Sequence, residues 1–204
     1  MRSKQDMKHG HVIAFEGLDQ SGKQTQSERL AAVLRQDGYR VEFLSFPAYG
    51  TAIGTEIQTA LQGGREYDAD TLQLLYIANR YEFRPRMREW LDAGAIVICD
   101  RYLASSIAYG EAQGLDPAWL CEVQRHLPQP ILTIVLDIPP DESLRRKHAA
   151  RDKFERDLPL LARVRASYQR QAAAPNWQLI DGRQPADVVA AEVRQAVRSR
   201  LGMP

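Results

Sequence analysis

Two cysteines in 204 residues, Cys99 and Cys121, are too few and too far apart for a disulfide framework or a zinc-binding spacing. They read as reduced, inert thiols. No apolar run approaches the roughly eighteen residues that cross a bilayer, so no membrane partner is expected. An excess of one charge is missing too. The chain sets 27 Lys and Arg against 26 Asp and Glu, a net charge of +1, which argues against a protein built to coat nucleic acid or an anionic membrane. Any basic site must be local. The opening MRSKQDMKHG is charged and lacks the apolar centre of a secretory signal, so residues 1–11 read as a flexible leader and the protein as cytoplasmic. Neither an internal repeat nor a low-complexity linker divides the rest. With 44% hydrophobic and 26% charged residues, 12–204 is expected to fold as one domain.

Apolar runs alternate along the chain with segments of helical period. Strands are predicted at Val12–Glu16, Val41–Phe46, Ala95–Cys99, Ile131–Leu136 and Trp177–Ile180. Helical patterns fall at Lys23–Gln36, Ile53–Leu61, Thr71–Leu91 behind Asp70 as N-cap, Asp116–His126, Asp141–Ala149, Leu158–Ala173 and Ala186–Leu201. Pro85 should kink or split the third of these. Near-continuous apolar strands between helices imply an α/β fold, a parallel sheet buried on both faces by helices. Ligands of such sheets bind beyond the carboxyl ends of the strands, which directs attention to the loops at Gly17, Pro47 and Asp100.

The first of these loops carries the clearest chemistry. Phe15–Gln26 reads FEGLDQSGKQTQ, with Gly17, Gly22 and Lys23 at the G-x-x-x-x-G-K spacing between a strand and a helix. Backbone N–H groups of such a loop, including those of Gln20 and Ser21, close around phosphate oxygens, and the Lys adds a point charge. The residue after Lys23 is Gln24 where Ser or Thr usually holds magnesium, and Thr25 follows one position later.

Motifs along almost the whole chain resemble the thymidylate kinases, nucleoside monophosphate kinases that phosphorylate dTMP. They are FEGLD-x-x-GK at Phe15–Lys23, FP at Phe46 and Pro47, LLYIANR at Leu74–Arg80, DRY-x-x-S at Asp100–Ser105, LDIPP-x-x-SLRR at Leu136–Arg146, RDKFE at Arg151–Glu155 and NW-x-LID at Asn176–Asp181. The resemblance implies a P-loop NTPase fold of three layers with five parallel strands, a short helical lid at about 141–157, ATP as phosphate donor, Mg2+, and a homodimer.

Tyr76 and Arg80 stand four apart, an aromatic plane beside a five-donor fork on one helix face. A packed Tyr next to a surface Arg fits the same spacing. The resemblance implies that Tyr76 stacks on the thymine and Arg80 donates to a base carbonyl. It further implies that Asp19 accepts from the sugar 3′-hydroxyl and that Arg101 bridges the donor and acceptor phosphates, while Asp100, at the end of a buried strand, can either hold magnesium through water or cap a following helix. Ser105 and Ser106 fall where base-contacting polar side chains belong, and Tyr109 where a ring crowds the sugar 2′ position. Phe46 and Pro47 match the substrate-side turn, but the Arg usual two residues later is Tyr49 here.

Phosphoryl transfer needs positive charge over the equatorial oxygens, and Gln20 stands where a P-loop Arg would supply it. The lid is the other source. From Asp141 to Arg170 nine Lys or Arg face five acids. In the resemblance Arg146 lies against adenine, leaving Arg145, Lys147 and Arg151 as candidates for the transferred phosphate. Competing readings are another nucleotide or deoxynucleoside kinase and a weakened nucleotide-binding module.

Overall fold

A computed structural model describes residues 9–146 and 157–203. Five strands, β1 (His11–Glu16), β2 (Val41–Ser45), β3 (Ile96–Asp100), β4 (Leu132–Asp137) and β5 (Trp177–Asp181), form one sheet in the order β2-β3-β1-β4-β5. Every pair is parallel. The helices are α1 (Lys23–Gln36), α2 (Ala52–Leu61), α3 (Ala69–Asp92), α4 (Leu103–Ala112), α5 (Pro117–Gln124), α6 (Pro140–Arg146), α7 (Leu158–Gln171) and α8 (Ala186–Leu201). Among the described residues, no helix is long and apolar enough to cross a membrane.

Alternation along the strands divides the core into two layers of contact. Ile13, Phe15, Ile96, Ile98, Ile134 and Leu136 face α1 and α8 through Leu30, Leu34, Val189 and Val193. Val12, Ala14, Val97 and Cys99 face the other way, against Met87 and Trp90 of α3 and against Tyr102. Over β4, Val135 packs with Ala104 and Ala108 of α4 and with Leu161, Val164 and Tyr168 of α7. Helices thus cover both faces, the three-layer arrangement expected from the continuous apolar runs.

The chain leaves β1 toward β2, whereas the neighbouring β4 sends its connection the opposite way, to β5. This is the reversal at which parallel sheets open a crevice beyond their carboxyl ends. The loop after Glu16 sits there.

Three local expectations change. Helix α3 runs unbroken through Pro85, because Leu72 and Ile77 before it and Met87 and Trp90 after it are all buried and hold both halves against the core. Its N-cap is Asp68, and the Asp70 carboxylate accepts from the N–H of Thr71 instead. Helix α4 lies in a segment for which the periodicity predicts nothing. Its sequence LASSIAYGEA is buried on most sides, so it lacks the alternation of an amphipathic helix.

Candidate active site

The loop between β1 and α1 is shaped by close approach. Gly17 has φ +134°, and a Cβ there would stand 2.5 Å from the Leu136 carbonyl oxygen of β4. Gly22 precedes α1 at φ +95° with no side-chain cap, so the first-turn N–H groups of α1 are left for an anion. Gln20 is exposed and lies in the left-handed region at φ 61°. The buried Ser21 hydroxyl has no hydrogen-bond partner.

Lys23 is 6% exposed. Its Nζ donates to the Leu18 carbonyl at 2.8 Å and stands 3.9 Å from Asp19. Desolvation pushes its pKa down to about 8, helped by the Arg101 charge and opposed by Asp19, Asp100 and Glu16. A buried ammonium held mainly by a neutral carbonyl is primed for an arriving phosphate.

Arg101 follows β3 and closes the same loop from the other side. Its Nη2 donates to Asp19 at 2.6 Å, and its Nη1 to the Gly17 carbonyl and the Ser105 hydroxyl, each at 3.2 Å. Its backbone is left-handed at φ 61°, a costly conformation for a residue with a Cβ. Ser105 is anchored in turn. Its hydroxyl donates at 2.6 Å to Glu16, a wholly buried carboxylate that also accepts from the Tyr102 N–H at 2.8 Å and the Tyr168 hydroxyl at 3.1 Å. The Arg101 guanidinium lies 5.6 Å from the centre of the Tyr109 ring.

On the β2 side, Arg80 is 2% exposed and donates through Nη1 to Ser106 at 2.7 Å, while its Nε has no partner. Burial lowers its pKa. Phe46 lies 6.0 Å from the guanidinium and is packed between Phe83 and Tyr102, with half-buried Pro47 beside it. Tyr76 is half-buried one turn ahead of Arg80 on α3. Asn79 pins the loop after β2. Its Oδ1 accepts from the Ala48 N–H at 2.7 Å and its Nδ2 donates to Thr51 at 3.0 Å and Glu82 at 2.9 Å.

The remaining residues gather at the outer mouth. Arg146 of α6 donates to the carbonyls of Gln20 at 3.2 Å and Gly182 at 3.1 Å, and to Glu142 at 2.7 Å. Ser143 ties the same helix to the Asp19 carbonyl at 2.7 Å. Arg145 is exposed and paired with Glu142. Arg151 and Lys147 lie outside the described residues. Gln24 and Thr25 sit on the exposed side of α1, where the Gln24 amide donates to Glu28 at 3.0 Å. No group of three or more His, Cys, Asp or Glu able to hold a metal occurs among the described residues. Asp100 ends β3 nearly buried, and its Oδ1 has no partner.

Lys23, Asp19, Arg101 and Ser105 therefore meet in one place, Arg80 and Ser106 in a second, and Arg146 with the Gln20 carbonyl in a third. Sequence reasoning passes over Glu16 and Asn79 although both lie inside quoted motifs. Tyr168 offers no local signal, being 152 residues from the carboxylate that it contacts.

Comparison with known proteins agrees with this geometry. The thymidylate kinase family model matches residues 15–193. The thymidylate kinase of Thermomicrobium roseum is 39% identical over 189 residues, covering 87% of this chain and 90% of that protein. The human thymidylate kinase is 29% identical over 203 residues, covering 97% of this chain and 96% of its own length. Among solved structures, thymidylate kinase from Candida albicans aligns with a TM-score of 0.80 at 26% identity, over 94% of this chain and 92% of that one.

Proposed function

The chain belongs to the thymidylate kinase family, its reaction is therefore transfer of the ATP γ-phosphate to dTMP, and we propose a division of that work among the residues described above. In a loose transition state charge spreads over the transferred group, and positioning plus electrostatics supply the catalysis. The N–H groups between Gly17 and Lys23 cradle the donor phosphates. Lys23 exchanges the Leu18 carbonyl for phosphate oxygens, which supply the counter-charge that its buried ammonium lacks.

Arg101 draws the acceptor phosphate toward the donor. Asp19 and Ser105 fix two edges of its guanidinium, and Asp19 also accepts from the sugar 3′-hydroxyl. Arg80 reads the base: a buried guanidinium with a free Nε and, among the described residues, no carboxylate in contact suits a carbonyl acceptor, and Ser106 steadies it while Tyr76 covers the ring. Tyr109 crowds the sugar 2′ position and disfavours ribonucleotides. Arg146 braces the adenine side against Gly182, and Arg145, Lys147 and Arg151 are the candidate charges for the transferred phosphate.

The residues present fit magnesium. Mg2+ is commonly bound by one or two carboxylates plus nucleotide phosphates rather than by an all-protein cage, and the partnerless Oδ1 of Asp100 suits a bound water. Bound there with nucleotide, the ion supplies positive charge to the phosphate oxygens. Gln24 and Thr25 follow Lys23 directly and are the side-chain oxygens on α1 that we assign as further candidates for the ion. The family resemblance supports a homodimer, which sedimentation checks, and the net charge of +1 supports an enzyme that does not bind nucleic acid.

The observation that carries this reading is the convergence of Lys23, Asp19 and Arg101 at the carboxyl ends of β1 and β3. A panel of dTMP, dUMP, dCMP, dGMP and thymidine, with ADP release measured, tests it. The highest kcat/KM is expected with dTMP. ATP binding without transfer to any monophosphate would overturn the assignment.

A further inference from the structure

Glu16, the last residue of β1, is wholly buried, and among the described residues its hydrogen bonds all come from neutral donors. Its Oε1 accepts from the backbone N–H groups of Tyr102 at 2.8 Å and Ser105 at 3.3 Å. Its Oε2 accepts from the Ser105 hydroxyl at 2.6 Å and the Tyr168 hydroxyl at 3.1 Å. The two hydroxyls stand 3.0 Å apart, and Arg101 Nη1 reaches both, at 3.2 Å from Ser105 and 3.5 Å from Tyr168. Burial, with the Glu16 charge behind it, raises the Tyr168 pKa, so the phenol keeps its proton.

The direction of these hydrogen bonds is set by their common acceptor. A carboxylate has no proton to give, so both hydroxyls turn their protons toward it and leave lone pairs for Nη1 of Arg101, a side chain with donors only. A Gln in place of Glu16 would break that order. The two backbone N–H groups require the amide oxygen at the Oε1 position, so the amide nitrogen falls at Oε2 and donates to Ser105 and Tyr168. One displaced hydroxyl proton can then bridge the two hydroxyls. The other has lost its acceptor and crowds the edge of the guanidinium.

We propose that Glu16 and Tyr168 are positioning residues for Arg101: the carboxylate orders the Ser105 and Tyr168 hydroxyls as acceptors, and these hold Nη1 so that the guanidinium stays turned toward the acceptor phosphate. Asp19 fixes the other edge, at Nη2. Oε1 of Glu16 meanwhile holds the N–H of the residue that follows the left-handed backbone of Arg101. A charged group aimed at a reacting phosphate needs such support, because a small loss of orientation removes much of its effect. The inference rests on the reading of Arg101 as the contact to the acceptor phosphate and extends it to two fully buried residues.

The test is calorimetric titration of the full chain with dTMP and with thymidine, which lacks the phosphate assigned to Arg101. Glu16→Gln should weaken dTMP about tenfold and thymidine less than about twofold. Equal weakening of both, or of neither, would overturn the proposal. Arg101→Met separates that result from failure of the reading beneath it. This variant should also lower the preference for dTMP over thymidine, and an unchanged preference would remove the phosphate role of Arg101 itself. Adding Glu16→Gln to Arg101→Met should lower the preference no further; a further loss would show that Glu16 acts by another route and overturn its positioning role. Tyr168→Phe keeps the ring, removes only the hydroxyl and should lower the preference about threefold. A parent-like preference in Tyr168→Phe would overturn the proposal, and this variant decides alone if Glu16→Gln does not fold.

Discussion

Lys23 joins a buried charge to the chemistry, so raising the pH should move stability and activity in opposite directions. In the folded, nucleotide-free chain it titrates near 8, against 10.5 for an ordinary Lys. Below pH 8 both the folded and unfolded chains carry the proton, and the folded one bears the cost of burying it. Between pH 8 and 10.5 the folded chain has shed this proton and the unfolded chain has kept it, so this residue's contribution to stability rises with pH, by about 3 kcal/mol across the window.

Activity should fall over the same window because the ammonium proposed to hold phosphate is lost. At pH 9 roughly a tenth of the free enzyme keeps it, so kcat/KM for ATP should drop about tenfold from its pH 7 value. The profile of kcat at saturating ATP should break at higher pH, since bound phosphate favours the charged Lys. The assays are kcat/KM for ATP from pH 7 to 10, where the nucleotide phosphates no longer titrate, and urea unfolding of the parent and Lys23→Met at pH 8 and 10. A kcat/KM that stays flat to pH 10, or a difference in stability between the two chains that does not change with pH, would refute the reasoning.

Arg80→Met keeps the buried volume but removes the donor proposed to read the base, so KM for dTMP should rise about tenfold or more while KM for ATP moves less than about twofold. Equal losses for both substrates would assign Arg80 to the fold or to the phosphates. Gln24→Thr places a hydroxyl directly after Lys23 and should lower the magnesium concentration for half-maximal rate, a shift read by titration at fixed ATP and dTMP. An unchanged curve would put the ion out of reach of this side chain. Gly17→Ala forces a Cβ against the Leu136 carbonyl at a left-handed φ, and should lower stability by about 2 kcal/mol or more in urea unfolding and sharply reduce ATP binding. Parent-like values in both assays would show that the loop does not need the close approach to β4.

Contiguous features of the sequence determined much of this protein. The run from Val12 to Gln36 encodes strand, glycine turn and helix in one stretch, and the phosphate loop is legible because its spacing, its strand and its helix are all local. The apolar runs of the three central strands, β1, β3 and β4, likewise pointed to the parallel, doubly covered sheet, since strands buried on both faces show no polar alternation. Amphipathic periodicity could not reveal α4, because a helix enclosed by β4, α5 and α7 has no polar stripe to mark it. Only the tertiary structure decided which partners hold the charges of the candidate site. Arg101 meets Asp19 across 82 residues, Ser105 meets Glu16 across 89, and Arg146 reaches Gly182 across 36. Those contacts depend on how far each strand runs before its loop turns and on the side of the sheet to which each helix packs. No local pattern records either, because closing a loop of that length is driven by burial of the whole core rather than by the few polar groups that it brings together.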